Sequence, residues 1–155
     1  MNHKKLTRSG KYSSLQGTFR PLNESKYVGD SNPKFKSKLE LKMMTFCDKS
    51  PLVTKWSYER IVIPYTDKTR NNSRHNYYTD CKITMKTKTG FKTFLIEVKS
   101  KKETIAPVKS NRKKPETYRK EVETWVRNNC KWEAARKVAK SRGWEFKILT
   151  EDQLG

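Results

Sequence analysis

The 155-residue sequence has few of the residues from which disulfide scaffolds and zinc sites are built. Its three cysteines are Cys47, Cys81 and Cys130, and its two histidines are His3 and His75. The cysteines are odd in number and widely spaced, so they match no zinc pattern and predict no disulfide framework. We therefore expect reduced core thiols in a cytoplasmic protein. Any metal site would have to be built from carboxylates.

Long apolar runs are also missing from the sequence. No stretch approaches the roughly 18 apolar residues that a membrane-spanning helix requires. The N-terminal stretch MNHKKLTRSGKYSS lacks the apolar segment of a secretory signal. The sequence therefore predicts a protein that has no membrane partner.

Acidic residues are scarce relative to basic residues. The chain has 16 Asp and Glu against 36 Lys and Arg, which gives a net charge of +20. A field of this size favours a polyanionic partner such as nucleic acid. Aromatic residues make up 11% of the chain, whereas disordered basic tails contain few of them. We therefore expect one domain with a compact core and a basic surface.

The hydropathy pattern divides the chain into an irregular arm and a patterned domain. Residues 1–34 are polar and show no period, which predicts a basic arm that is partly ordered by packing onto the rest. Residues 35–155 form the predicted domain, with elements in the order α-β-β-β-α-β. Its predicted elements are a helix at 34–47, one or two strands at 53–65, strands at 75–86 and 91–99, a basic loop at 101–115, a helix at 116–142 and a strand at 144–149. This order predicts an α/β fold in which helices flank a mixed sheet.

The two predicted helices carry distinct sequence signals. Ser37 precedes Glu40 by three residues, as in a capping box, and in that role Glu40 would only secure the helix end. The second helix shows an apolar stripe with strict four-residue spacing, flanked by tryptophans and interrupted by Asn128-Asn129, which would allow two shorter helices instead of one. The stripe consists of Val122, Val126, Cys130, Ala134 and Val138.

The most informative residues are Asp80 and, after sixteen intervening residues, Glu97-Val98-Lys99. Strand alternation places Glu97 and Lys99 on one face. A two-residue hairpin loop at Lys88-Thr89 would place Asp80 opposite Glu97, and a loop at Thr89-Gly90 would place it opposite Lys99. Both loops bring the three side chains to one face, whereas a three-residue loop would point Asp80 away from them.

Carboxylates at these positions indicate chemistry on phosphodiesters. Asp80 and Glu97 on one face can hold Mg²⁺ or Mn²⁺, and Glu40 is the candidate for a third carboxylate. A bound metal activates water and neutralises charge on the phosphate, while Lys99 can orient the water or stabilise the oxyanion. The alternative is a solvated strand face on which these acids are merely paired with lysines.

These residues and their order resemble those of the restriction-endonuclease-like PD-(D/E)xK nucleases. More narrowly, the sequence is similar to the T4-type phage head completion nucleases and to the endonuclease subunit of Tn7-like transposases. The resemblance covers nearly the whole chain. The matching pieces are KYVGD (26–30), SKLE (37–40), WSYE (56–59), IPY (63–65), HNYYTD (75–80), FLIEVK (94–99), KWEAA (131–135) and RGWEFKILTE (142–151).

The resemblance implies a restriction-endonuclease-like αβββαβ core and a specific function. By position, it makes Glu40, Asp80, Glu97 and Lys99 the catalytic set and the three carboxylates the ligands of Mg²⁺ or Mn²⁺. The implied activity is hydrolysis of DNA during phage head completion, after packaging. The implied partners are double-stranded DNA and capsid or portal components, in the host cytoplasm and in the virion. The motif departs from its superfamily at Thr79, where Pro is expected.

Three other residues and the overall function have alternative interpretations. His75 is either a polar turn residue or a phosphate or water contact, and Glu59 is either a strand-end ion pair or a further acid of the site. Lys131 is either a helix-surface charge or a phosphate contact. The whole chain is either the nuclease described above or a non-enzymatic basic DNA-binding or head-plugging protein.

Overall fold

The computed structural model describes residues 15–155, so His3 and the first part of the predicted arm lie outside the described residues. Within this range no helix is both long and apolar enough to cross a bilayer. Short 3-10 helices lie at Glu24–Lys26 and Lys101–Thr104. The strands are β1 (Gly17–Thr18), β2 (Lys34–Phe35), β3 (Val53–Tyr58), β4 (Val62–Asp67), β5 (Ser73–Tyr78), β6 (Cys81–Thr87), β7 (Gly90–Val98) and β8 (Glu145–Leu149), and the helices are α1 (Lys38–Lys49), α2 (Pro115–Ser141) and α3 (Glu151–Leu154).

The main sheet has four strands in the order β3-β6-β7-β8. The first three are antiparallel neighbours, and β8 is parallel to β7 after the crossover through α2. The sequence of α1, three strands, α2 and β8 is the predicted αβββαβ core. The mixed α/β sheet predicted from the sequence is therefore confirmed.

A separate hairpin, β4–β5, is inserted between β3 and β6. The prediction of one strand over residues 75–86 is therefore wrong, because the chain leaves the hairpin at Thr79-Asp80 and joins the main sheet. At this point Thr79 donates its backbone N–H to the carbonyl of Ile61, while the Asp80 carbonyl accepts from Glu59 N at 3.0 Å. Alternation of apolar residues continues across the break, so the hydropathy pattern gives no sign of the change of partner.

Helix α1 begins at a capping residue and buries one face. The Ser37 hydroxyl accepts the backbone N–H of Glu40 at 3.1 Å, as the capping signature predicts. Met43, Met44 and Cys47 are fully buried on the sheet. The helix ends at Lys49, immediately before Ser50-Pro51.

Helix α2 is continuous through Asn128-Asn129, so the prediction's alternative of two helices is wrong. Its buried face also differs from the predicted stripe. Residues four apart advance by about 40° around a helix, so a strict four-residue stripe rotates away from the sheet. The buried positions instead follow a 4-3-4 spacing and are Asn128, Trp132, Ala135 and Ala139. Cys130, Ala134 and Val138 of the stripe are only partly buried against the same core.

Two cores lie on opposite faces of the main sheet. One packs α1 against residues such as Trp56 and Ile83, and the other packs α2 against the hairpin, Leu95 and Trp132. Phe19 and Tyr27, which precede α1, both pack on the ring of Trp56. All three cysteines are free, and Cys47 and Cys81 are fully buried.

Candidate active site

A cleft of about 360 Å³ opens between the start of α1 and the end of β7. All four residues of the predicted catalytic set line it. Three further charged residues, Lys36, Glu59 and Glu103, lie beside them. The set is Glu40, Asp80, Glu97 and Lys99.

Glu40 points into the cleft from the first turn of α1. Its Oε2 accepts the backbone N–H of Lys36 at 2.6 Å, and its Oε1 accepts the Tyr58 hydroxyl at 2.9 Å. The carboxylate does not return to Ser37, so only half of the predicted capping box forms. Burial, together with the Glu40 charge, raises the pKa of Tyr58, which therefore stays a hydrogen-bond donor. Glu40 is buried, with only 6% of its surface exposed, and these contacts fix its carboxylate.

Asp80 lies at the junction of β5 and β6, beside the end of β7. The β6–β7 register pairs Cys81 with Ile96, so the hairpin loop is Lys88-Thr89, which is the alternative that places Asp80 opposite Glu97. Asp80 Oδ2 accepts the backbone N–H of Val98 at 2.7 Å. Burial, followed by the charge of Glu97, raises the pKa of Asp80 well above its ordinary value.

Glu97 and Lys99 project from the end of β7 into the same cleft. The Tyr77 hydroxyl donates to Glu97 Oε2, and Lys99 Nζ lies 3.9 Å from Glu97 Oε1. Lys99 Nζ is also 3.8 Å from Glu103. Burial raises the pKa of Glu97, and the Tyr77 hydrogen bond and the Lys99 charge partly oppose this rise. The ammonium of Lys99 is thus held between two carboxylates at the edge of the cleft.

Glu59 is placed for both of the roles between which the sequence left a choice. Its Oε1 forms an ion pair with Lys36 Nζ at 2.6 Å. It also belongs to a group with Glu40 and Asp80 in which one carboxylate oxygen from each residue lies within 4.8 Å of the others. Its backbone has a φ of 49°, a left-handed conformation that is uncommon for a residue other than glycine. This turn places the side chain over the cleft.

The carboxylate group fits a divalent cation. Oxygen atoms within 4.8 Å of one another can all lie at the 2.0–2.6 Å bond lengths of hard cations around one centre. The group consists of Glu40, Glu59 and Asp80, whereas the predicted metal ligands were Asp80, Glu97 and Glu40. The two oxygens of Glu97 instead face Tyr77 and Lys99.

The remaining candidates lie outside the cleft lining. His75 is on the β4–β5 hairpin, where its Nε2 is 2.8 Å from the Ser73 hydroxyl and its ring lies beside Tyr65. Lys131 projects from α2 over the ring of Tyr77. The tyrosines that bind Glu40 and Glu97 were not predicted. Their only signal in the sequence is their place on the buried faces of two strands.

Comparison with known proteins places the chain in a family. A family model described as TnsA-like endonuclease N terminal matches residues 50–151, which include Asp80, Glu97 and Lys99. The chain is 40% identical over 147 residues to the head completion nuclease of Enterobacteria phage T4, covering 91% of this chain and 94% of that protein. No solved structure shows a significant match. The chain therefore belongs to the TnsA-like endonuclease family, whose fold is restriction-endonuclease-like.

Proposed function

We propose that this protein is a metal-dependent DNA endonuclease of PD-(D/E)xK type that acts in phage head completion. One observation carries the proposal: Glu40, Asp80, Glu97 and Lys99 come from three separate elements and line one cleft. Three of the four are also largely buried acids whose positions are fixed by hydrogen bonds. A solvated strand face with incidental ion pairs requires neither feature.

The cleft favours a bound cation. Burial raises the pKa values of Asp80 and Glu97, and a neighbouring carboxylate adds to each rise, Glu97 for Asp80 and Glu40 for Glu97. The ionised carboxylates are therefore unfavourable unless a positive charge lies between them. Glu40, Glu59 and Asp80 would hold Mg²⁺ or Mn²⁺, since hard cations prefer oxygen ligands. When bound, such a metal lowers the pKa of its water and neutralises charge on the phosphate.

Lys99 supplies the cationic group of the chemistry. Its ammonium lies near Glu97 and is partly exposed toward the cleft, where it can orient the attacking water or stabilise negative charge on the phosphate. Glu97 holds that ammonium in place. We propose that the Tyr77 hydroxyl keeps Glu97 in this orientation.

The protein's affinity for DNA comes from its positive charge. Of its 36 basic residues, many lie in the predicted arm at 1–34 and in the segment at 101–115, which we propose to be separate from the catalytic chemistry. Phosphate contacts of this kind carry no sequence information, so we expect weak sequence preference and steep salt dependence. The proposed substrate is double-stranded DNA.

The setting follows from the relative's name, which assigns that T4 protein to head completion. We propose the same setting for this chain, with capsid or portal components as partners, in the host cytoplasm and in the virion. We further propose that residues 35–155 form the nuclease domain and that residues 1–34 serve as an arm.

The test is plasmid cleavage in Mg²⁺, Mn²⁺ or EDTA by the wild type and by Glu97→Gln and Lys99→Ala. Each substitution removes one charged group of the site, so cutting should fall by about 10²–10³ while DNA affinity stays near that of the wild type. Glu116→Gln is the matched control, because Glu116 is a solvent-exposed residue on α2.

Two outcomes would contradict the proposal. If Glu97→Gln cuts at the wild-type rate in Mg²⁺, the assignment of this site is wrong. If the wild-type protein binds DNA but does not cut it with either metal, the non-enzymatic head-plugging role is the better description.

A further inference from the structure

Lys131 lies near the middle of α2, on the side of the main sheet opposite to α1. Its ammonium is 5.8 Å from the ring centroid of Tyr65 and 5.7 Å from that of Tyr77. The hairpin β4–β5 presents both rings. Two cation–π contacts from neighbouring strands therefore fix the position of this one charge.

The two rings place Lys131 next to the proposed catalytic centre. The hydroxyl of Tyr77 donates to Glu97, so Lys131 lies over the same ring that orients this carboxylate. The charge of Lys131 also lowers the pKa of Glu97. Lys99 and Lys131 thus both act on Glu97, one from the end of β7 and the other from α2.

Burial, followed by the charge of Lys99, lowers the pKa of Lys131, and the charges of Glu97 and Asp67 oppose this only in part, so the protein does not fully balance the positive charge at this place. Among residues 15–155, Lys131 forms no ion pair, and its half-buried ammonium has the like charge of Lys99 nearby. Arg127, one turn earlier on α2, is engaged with Asp67 at 2.9 Å. A partly desolvated ammonium beside a second cation is unfavourable unless an anion approaches it.

Another lysine of the same helix shows the contrast. Lys137 is 77% exposed and pairs with Glu133, one turn away, at 3.4 Å. An exposed lysine paired along the helix is what the interpretation of Lys131 as a helix-surface charge would predict. Lys131 instead lies over two aromatic rings, and one of them belongs to the tyrosine that donates to Glu97.

We propose that Lys131 and Lys99 together form a phosphate subsite beside the catalytic carboxylates. In this subsite the ammonium of Lys131 contacts a non-bridging oxygen of the DNA strand that lies in the cleft. The inference rests on the proposed nuclease function and adds a substrate-binding residue from α2 to it. It also gives the cation–π contacts a role, since they fix a charge that forms no ion pair in the described part of the chain.

The experiment compares Lys131→Gln with the matched control Lys137→Gln. For each, duplex-DNA binding is measured in EDTA over a range of salt, and single-turnover cleavage is measured in Mg²⁺ with enzyme in excess. Loss of one phosphate contact should reduce the slope of log affinity against log salt by about 0.9. Cleavage by Lys131→Gln should fall by about 10²-fold, as for other lost electrostatic contacts to the reacting phosphate. Lys137→Gln should match the wild type in both measurements.

If Lys131 has a purely structural role, loss of its charge in a folded variant leaves the salt slope and the rate unchanged. Lys131→Arg keeps the charge, so it should restore the wild-type salt slope and most of the rate. Lys131→Met keeps an unbranched apolar stem against the two tyrosines and serves in place of Lys131→Gln if the latter does not fold in a urea titration. The subsite is refuted if a folded, uncharged variant has the same salt slope and rate as Lys137→Gln.

Failure of the subsite can be told apart from failure of the nuclease assignment. Glu97→Gln is assayed in the same experiment. If Glu97→Gln is inactive while Lys131→Gln behaves like its control, only the subsite is wrong. If Glu97→Gln retains wild-type cutting, the proposed function itself fails.

Discussion

Replacing Asp80 by Asn should stabilise the metal-free protein while abolishing its response to divalent cations. The carboxylate of Asp80 is largely buried near Glu97 and accepts one hydrogen bond, from the Val98 backbone N–H. The Asn side chain keeps an oxygen that can accept this bond. The substitution therefore removes an unfavourable buried charge without leaving a donor unsatisfied.

The direction of the pH effect follows from the raised pKa of Asp80. A carboxyl group whose folded pKa exceeds its unfolded value contributes its full stability below about pH 4. That contribution is lost as the pH rises through the folded pKa, so ionisation of Asp80 destabilises the folded wild type as the pH rises. Asn has no such dependence. We expect a gain of about 1–2 kcal/mol, typical of single stabilising substitutions, and thus a Tm higher by about 3–6 °C at neutral pH.

The assay is thermal unfolding in EDTA and in Mg²⁺. Wild-type protein should gain about 2.7 kcal/mol when Mg²⁺ is at a hundredfold excess over its Kd, whereas Asp80→Asn should gain much less. Asp67→Asn is a matched control of opposite sign. Burial alone would raise the pKa of Asp67, but hydrogen bonds from Thr69 and Arg127 bring it down to about 2. Its loss should destabilise the fold by about 3 kcal/mol near neutral pH.

The contribution of the Asp67 carboxylate to the free energy of unfolding is present above about pH 4 and is lost as the pH falls toward about 2. The loss of stability in Asp67→Asn should therefore shrink over that range of pH. The reasoning about the cleft is refuted if Asp80→Asn lowers the Tm in EDTA near neutral pH. It is also refuted if Asp80→Asn responds to Mg²⁺ as strongly as the wild type does.

Three further substitutions test the contacts around the site. Glu59→Gln should raise the Mg²⁺ concentration for half-maximal cleavage by about 10–100-fold; an unchanged metal titration would leave Glu59 only its ion pair with Lys36. Tyr77→Phe removes the donor that lowers the pKa of Glu97, so the acid limb of the pH–rate profile should move to higher pH, and a fixed limb would show that Glu97 does not titrate there. Asp48→Ala removes the acceptor of two backbone N–H groups near residue 22, so the urea midpoint should correspond to a loss of about 1.5–3 kcal/mol, and no change would show that these bonds are dispensable.

The convergence of Asp80 and Glu97 could be predicted because strand register is local arithmetic. A two-residue loop between β6 and β7 leaves few pairings, and one of the two expected registers is the one observed. Glu40 was placed on the first helix by its capping signal, but that signal describes the backbone of Glu40. The direction of its carboxylate depends on Tyr58, which a separate strand supplies.

Sequence patterns carry less information wherever a residue's role depends on a distant partner. The change of partner at Thr79-Asp80 is invisible because the apolar alternation runs through it unbroken. Lys131 has the sequence environment of an ordinary helix-surface lysine, and only the folded hairpin brings Tyr65 and Tyr77 beneath it. Glu59 is placed for both of its expected roles, since an ion pair and membership in an acid group do not exclude each other.

The connectivity of the main sheet also determines the order in which the site assembles. Asp80 and Glu97 are joined through the β6–β7 hairpin, and hairpins form in about 1–10 μs. The parallel pairing of β7 with β8 must wait for the crossover through α2, and such long-range contacts form slowly. Before this crossover docks, Asp80 and Glu97 already lie close together, but Lys131 is not yet beside them. Water then screens the repulsion between the two carboxylates. DNA cutting should therefore appear only with the last stage of folding, and refolding followed by cleavage should show a lag that follows the docking of α2.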